Sequence, residues 1–228
     1  MQTVLDPEYI TGIFKRELKN RFLCEVEIDG ESTVCYVPSS CHLGNFLDLT
    51  RKKVLLVPTK GNNTRTKYAL YAVPYKRKRI LLNTSFANRA IIEKIQTRSF
   101  SALGQRTAVY KEYNVNGYKA DLFIADTKTV IEVKSLISTN DIGCFPTVYS
   151  ERAINQLDKV LELLQEGYKA HYVIVALNPY TKSIKITKDT PFRSAIDACI
   201  QLGMQISAFS LDENKANIKL KRIEVLEE

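Results

Sequence analysis

Hydrophobic and polar residues alternate with a period of two through the first third of the chain. In Cys24-Glu25-Val26-Glu27-Ile28 the pattern is that of a half-buried strand, and Asp29-Gly30 behind it is a hairpin signal. Between Arg21 and about Leu82 the chain predicts short strands at FLCEVEID, STVCYVP, KVLLVPT, TKYALYAVPY and RILLN, separated by DGE, SSCHLG and TKGNNTRT. Five short strands predict a small all-β barrel, OB-like in the first instance and SH3-like as the alternative.

The period then changes. With Thr84 and Ser85 as candidate N-caps, FANRAIIEKIQT sets Phe86, Ala90, Ile91 and Ile95 at helical spacing. Three strand-like runs follow, RTAVYKEYNV, YKADLFIA and TVIEVKSLI, joined by tight turns at Asn116-Gly117 and Asp126-Thr127-Lys128. A helix is expected from about Ser150 to Gly167, with Ile154, Leu157, Val160, Leu161 and Leu164 on one face. HYVIVALNP reads as a buried strand, FRSAIDACIQLG as a helix and QISAFSL as a strand, and this alternation implies parallel pairing. The polar stretch from Asp212 to Glu228 predicts no definite element. A chain of 228 residues exceeds the usual single domain of roughly 100 to 150. We therefore expect two domains, an OB-like nucleic-acid-binding domain over 1–83 and an α/β domain over 84–228.

A 45% hydrophobic and 25% charged composition is that of a chain able to bury a core. The five cysteines are an odd number without CxxC spacing, which argues against a disulfide framework or a zinc knuckle. The start MQTVLDPEYI lacks the basic and apolar regions of a signal peptide, and no apolar run spans a membrane, so the expected compartment is the cytoplasm, with no membrane partner. A net charge of +8 permits a polyanionic partner, and its distribution is more informative. From Leu49 to Ile92 there is no Asp or Glu, while Arg51, Lys52, Lys53, Lys60, Arg65, Lys67, Lys76, Arg77, Lys78, Arg79 and Arg89 all fall there. Such a segment should attract phosphates.

The candidate chemistry lies in KADLFIADTKTVIEVKS. On two adjacent strands Asp121 and Glu132 can sit side by side, and Glu132 and Lys134 share a face because strand side chains alternate. Two close carboxylates repel unless a divalent cation with hard oxygen ligands, Mg2+ or Mn2+, bridges them. A cation so held could polarise a scissile phosphodiester, with Lys134 orienting the attacking water or stabilising the transition state, and Glu93 on the preceding helix in support. Glu-Val-Lys alone is common on exposed strands. Asp121 one turn upstream and the apolar neighbours Val130, Ile131 and Val133 raise its weight.

These residues carry a family resemblance. From Glu112 to Ala176 the chain resembles the PD-(D/E)xK, or restriction-endonuclease-like, core, and from about Arg21 to Phe209 it is similar to the sugar fermentation stimulation protein A family. The matching residues are Arg21-Phe22, Asn88-Arg89 followed by Glu93, Asp121, Glu132-Val133-Lys134, Phe145-Pro146 and Glu151-Arg152. The resemblance implies an OB-like domain before the nuclease-like core. It also implies Asp121, Glu132 and Lys134 as a nuclease-type triad, Glu93 as the helix carboxylate, DNA binding and a role in regulating sugar utilisation. Departures are Ala120 in place of proline, Ser39-Ser40-Cys41-His42-Leu43-Gly44 in place of an Asn-Thr-Gly segment, and Gln156 where relatives often carry histidine.

Two function classes follow. In one, the chain is a metal-dependent nuclease with Asp121 and Glu132 as ligands. In the other it is a non-cleaving DNA-binding regulator that keeps the same core as a scaffold. DNA is the expected partner, RNA the alternative, and a homodimer would let two clefts address two strands. Nucleic-acid contacts are expected from Arg21, Arg51, Lys52, Lys53, Arg65, Lys67, Lys76, Arg77, Lys78, Arg79 and, at the start of its helix, Arg152. Tyr68, Tyr71 and Tyr75 interleave with this charge and could stack bases or belong to the core. Cys41-His42 is read as loop packing rather than a thiol-histidine pair, and His171 as a packing residue rather than a metal ligand.

Overall fold

The computed structural model describes residues 9–39, 42–59, 65–214 and 217–226. Five strands form the first unit: β1 (Ile10–Glu17), β2 (Leu23–Ile28), β3 (Glu31–Tyr36), β4 (Lys53–Pro58) and β5 (Tyr68–Tyr75). Their neighbour order is β3-β2-β1-β4-β5, and a parallel bridge from Tyr36 to Ala69 closes the ring into an OB-like barrel. Asp29 and Gly30 at φ 50° and 84° make the tight β2–β3 hairpin that their sequence predicts. The predicted run RILLN is not a barrel stave. It is β6 (Lys78–Leu81), a hairpin partner of β5 that leads out of the barrel, and the missing stave is β1. Glycine is required in β1, because a Cβ at Gly12 would lie 2.4 Å from Val26 Cγ1 and 2.9 Å from Glu27 O.

The second unit begins with α1 (Ser85–Lys94), which buries Ala87, Ala90 and Ile91. The expected meander follows as β7 (Val109–Val115), β8 (Tyr118–Ile124) and β9 (Thr129–Leu136), all antiparallel, with Asn116-Gly117 as its first turn. After them come β10 (Ile142–Phe145), α2 (Glu151–Gln165), β11 (Lys169–Ala176), β12 (Ser183–Ile186), α3 (Pro191–Gln201), β13 (Gln205–Asn214) and β14 (Asn217–Leu226). The sheet order is β10-β12-β14-β13-β11-β9-β8-β7, with β9, β11 and β13 parallel as the alternation implied. Both later helices carry real caps: Ser150 Oγ accepts from Ala153 N at 3.2 Å, and Thr190 Oγ1 from Arg193 N at 3.1 Å. Three short or polar strands, β10, β12 and β14, go beyond the sequence prediction.

The sheet separates two cores. On one face Leu157, Val160 and Leu163 of α2 and Phe192 and Ile196 of α3 pack on Tyr172, Ile174 and Ala208. On the other, the barrel, α1 and the sheet share a single cluster that includes Leu56, Leu81, Ile91, Ile131, Phe209 and Leu211. The boundary expected near Asn83 falls between β6 and α1, yet the apolar core runs across it. Leu81 N donates to Leu177 O at 3.0 Å, and Tyr71 Oη to Glu213 Oε2 at 2.5 Å, so the two units are joined by hydrogen bonds as well.

His171, read from sequence as a packing residue, is buried in β11, with Nε2 2.6 Å from Ser207 Oγ and Nδ1 without a partner among the described residues. Burial, with a smaller contribution from Arg222, lowers its pKa from 6.5 to about 4. The unfolded chain therefore binds a proton before the folded one does. Stability is full above about pH 6.5 and falls towards pH 4, at up to about 1.4 kcal/mol per pH unit. Urea denaturation of wild type and His171→Gln at pH 7 and pH 5 tests this: the variant should lose less stability between the two, and an equal loss would refute the assignment.

Candidate metal centre

Strands β8 and β9 carry the three charged residues singled out by the sequence. Their ladder runs Ile124 to Thr129, Phe123 to Val130 and Leu122 to Ile131, and it stops one position short of Asp121 and Glu132. There a side chain takes over from the backbone. Asp121 Oδ2 accepts from Val133 N at 2.8 Å, while Oδ1 accepts from Asn88 Nδ2 of α1, also at 2.8 Å. Asp121 is thus fixed from both sides by groups belonging to different elements.

Glu132 and Lys134 do share a face. Lys134 Nζ lies 2.5 Å from Glu132 Oε1 and 2.7 Å from Gln156 Oε1 of α2. The other Glu132 oxygen accepts from Tyr118 Oη. Glu132 is only 5% exposed. Burial pushes its carboxyl pKa up, the charge of Asp121 adds to that, and the Lys134 ammonium and the Tyr118 hydrogen bond oppose it. Tyr172, its register partner on β11, has a buried hydroxyl with no partner among the described residues, and burial followed by the charges of Glu132 and Asp121 keeps that phenol protonated.

Asn88, Asp121, Glu132, Lys134 and Gln156 line a cleft of about 420 Å³ at the junction of the two units. Ser39 and Phe46 come from the barrel side, Ser85 and Asn88 from α1, Phe145 and Pro146 from the end of β10, and Arg152 and Gln156 from α2. Arg152, Gln156 and Asp121 also border the adjoining hollow lined by Glu112 and Lys119, so the groove continues past Asp121 along the β7–β8 hairpin. Hard carboxylate oxygens beside a polar cleft suit a divalent cation. Among the described residues no group of three His, Cys, Asp or Glu converges, so the protein would contribute Asp121 and Glu132 and leave further positions to water or a phosphate oxygen.

The structure does not bring every expected residue here. Glu93 is five residues beyond Asn88, about 140° around the helix, and its exposed carboxylate meets Lys94 at 2.9 Å instead. The α1 residue that reaches Asp121 is Asn88, which the sequence offered only as part of the Asn88-Arg89 pair. Tyr118 and Gln156 were not assigned roles either. Gln156 stood out as a departure from relatives, and Tyr118 carried no signal beyond its apolar strand.

The acid-free stretch is answered by acids from far along the chain. Lys78 pairs with Asp212 at 2.7 Å, Arg79 approaches Glu213 at 4.0 Å and stacks on Tyr9, and Lys76 lies 3.9 Å from Asp141 and over Tyr180. Tyr71 is buried on Glu213, and Tyr75 Oη donates to Thr139 O. The β5–β6 hairpin is therefore a docking element between the two units, and Tyr71 and Tyr75 are not open stacking surfaces. Arg51, Lys52, Lys53, Arg65 and Lys67 remain exposed on the barrel, as does Arg21, which stacks on Phe22. Lys60 and Cys41 lie outside the described residues, and His42 Nδ1 is 3.5 Å from Glu17 Oε1.

Residues 85–217 match the family described as the sugar fermentation stimulation protein RE domain. The chain belongs to the sugar fermentation stimulation protein family. A family homologue from Caldanaerobacter subterraneus subsp. tengcongensis is 27% identical over 226 residues, 95% of this chain and 96% of its own. Another, from Natranaerobius thermophilus, is 28% identical over 167 residues, 70% of this chain and 69% of its own. The solved structure of Pyrococcus furiosus SfsA in complex with Ca2+ superposes with a TM-score of 0.84 at 19% identity, covering 99% of both chains, and so shares the two-unit fold. Among the described residues of this family member no helix is long and apolar enough to cross a membrane.

A raised folded-state pKa means that ionised Glu132 costs stability at neutral pH, and that the cost disappears as pH falls below its folded value. Glu132→Gln removes the charge and keeps the shape. Calorimetry at pH 7 in EDTA should give a melting temperature above that of wild type, by about 2–4 °C for a gain on the order of 1 kcal/mol. A drop of several degrees would show that the Lys134 and Tyr118 contacts outweigh the burial cost.

Proposed function

We propose that this chain hydrolyses phosphodiester bonds of nucleic acid, DNA in the first instance, in the Asp121–Glu132–Lys134 cleft with a divalent cation. The observation that carries the reading is the pair of carboxylates on adjacent strands, one of them buried at an energetic cost, with an ammonium 2.5 Å away and an arginine on the same cleft wall. A site built only for stability would not hold like charges together in a buried place. Support comes also from the solved family member, which is described with bound Ca2+, an ion that takes oxygen ligands.

Asp121 and Glu132 would hold the cation, expected to be Mg2+ or Mn2+. When bound, it would supply Lewis acidity and neutralise charge at the scissile phosphoryl group. The protein's own groups do the positioning. Lys134, steered by Gln156, presents its ammonium to the attacking water and to the equatorial oxygens, where negative charge grows in the transition state. Asn88 and the Val133 amide hold the Asp121 carboxylate in place. Arg152, in the first turn of α2, faces the same cleft and suits a phosphate contact.

Labelled single- and double-stranded DNA and RNA, incubated with Mg2+, Mn2+ or EDTA, test the reading. Wild type should cut only with metal, Lys134→Ala should be slower by about 100-fold or more, and Mn2+ should raise the melting temperature of wild type but not of Asp121→Asn. Salt-sensitive binding by wild type without any cutting would move the assignment to the non-cleaving regulator.

A further inference from the structure

The two oxygens of Glu132 have different surroundings. Oε1 meets Lys134 Nζ at 2.5 Å, and Lys134 lines the cleft. Oε2 accepts from the Tyr118 hydroxyl, which does not line that cleft; Tyr118 borders the adjoining hollow, and Glu132 is not part of its wall. Tyr118 reaches Glu132 through the same break in the sheet that frees the Val133 amide. Between the Lys111–Leu122 and Tyr113–Ala120 pairs of the β7–β8 ladder, Glu112 takes a positive φ of 47°, and there the faces of β8 exchange. Leu122 and Ile124 belong to the core shared with the barrel, whereas Tyr118 and Ala120 belong to the core under α2 and α3. Val130 and Leu136, which flank Glu132 and Lys134 on the same face of β9, lie in that second core too. Residues two apart in an unbroken strand share a face, so without the exchange Tyr118 would point away from Glu132.

A buried phenol that donates to one carboxylate oxygen holds that oxygen on the buried side and leaves the other to the cleft. Asp121 is restrained in a similar way, because its two oxygens accept from different elements, Asn88 of α1 and the Val133 amide of β9. Each oxygen keeps a further lone pair, so each carboxylate can still give one oxygen to a cation. Ca2+ takes roughly six to eight oxygens, often with a carboxylate bound through both of its own, whereas Mg2+ keeps several waters and needs only one or two carboxylates. Resting on the reading of the cleft as a metal-dependent hydrolase, we infer that Tyr118 is a positioning residue that keeps Glu132 a single-oxygen ligand and so sets a preference for Mg2+ or Mn2+ over Ca2+. A phenol near Glu132 is not sufficient for this. Tyr172, the register partner of Glu132 on β11, is equally buried, and its hydroxyl has no partner among the described residues.

Electron paramagnetic resonance of free Mn2+, titrated with the whole chain and then competed with Mg2+ or Ca2+, tests the assignment. Wild type should bind Mg2+ more tightly than Ca2+. Tyr118→Phe should weaken Mn2+ and Mg2+ by about ten-fold and leave Ca2+ as tight or tighter, so the ratio of Ca2+ to Mg2+ affinity rises by about ten-fold or more. Tyr172→Phe removes the same atom from a neighbouring buried place and should keep the wild-type ratio. Loss of all three ions in proportion in Tyr118→Phe is what a merely structural role would give. That result, an equal change of ratio in Tyr172→Phe, or a wild type that prefers Ca2+ overturns the role of Tyr118, while metal-dependent cutting by wild type keeps the hydrolase reading. Wild type that binds none of the three ions overturns both.

Discussion

Like charges held near one another in a buried place set the terms for the second unit. Glu132 sits inside the sheet with its carboxyl pushed toward the neutral form, and Asp121, one strand away, makes ionisation harder still. The hydrogen-bond donors to the pair offset this cost: the Lys134 ammonium, the Tyr118 hydroxyl, the Asn88 amide and the Val133 N–H. Each of these donors, and the Gln156 Oε1 that accepts from Lys134, comes from an element with its own reason to be where it is. Asn88 needs α1 docked by Ala87, Ala90 and Ile91, Gln156 needs α2 docked by Leu157, Val160 and Leu163, and the Val133 amide is free only because the β8–β9 ladder stops early. Core packing thus fixes the chemistry at its edge.

How much of this was legible depended on whether the signal was local. The convergence of Asp121, Glu132 and Lys134 was legible because alternation along one strand forces Glu132 and Lys134 to one face, and a short turn brings Asp121 alongside. Helix α2 was legible from its apolar spacing. Strand β1 was not, because Thr11 and Gly12 interrupt its alternation and Gly12 is there for close approach to Val26 rather than for burial of a side chain. Strands β10 and β12 have four residues each, too few to show a period, and β14 is polar because most of its side chains face outward. Glu93 was misplaced by a question of phase: the helix was right, but its fifth-residue offset from Asn88 turns Glu93 to another side.

Long-range electrostatics was the part sequence could not supply. A run free of acidic residues reads as an exposed positive field, yet folding brings Asp141, Asp212 and Glu213 against Lys76, Lys78 and Arg79. Most of these pairs are exposed and contribute little stability singly. Their consequence is geometric, since with Tyr71, Tyr75 and the shared apolar cluster they seat the barrel against the sheet. Tyr71 and Tyr75, two of the three tyrosines that could have stacked bases, are engaged in that seat.

Seating the barrel in this way decides which of its faces is left for a ligand. The β5–β6 side is covered, and Ser39 and Phe46 are turned to the cleft wall. The end of the β2–β3 pair is left open with Phe22 and Tyr36 on it, joined to α1 through the Pro38–Thr84 hydrogen bond. Ser39 and Phe46 bring the barrel to the cleft wall opposite α2, so even a small ligand seated there would meet both units. An apolar core running unbroken from barrel to sheet holds those walls at a fixed distance, and a cleft assembled from two units keeps its geometry only if that distance does not change.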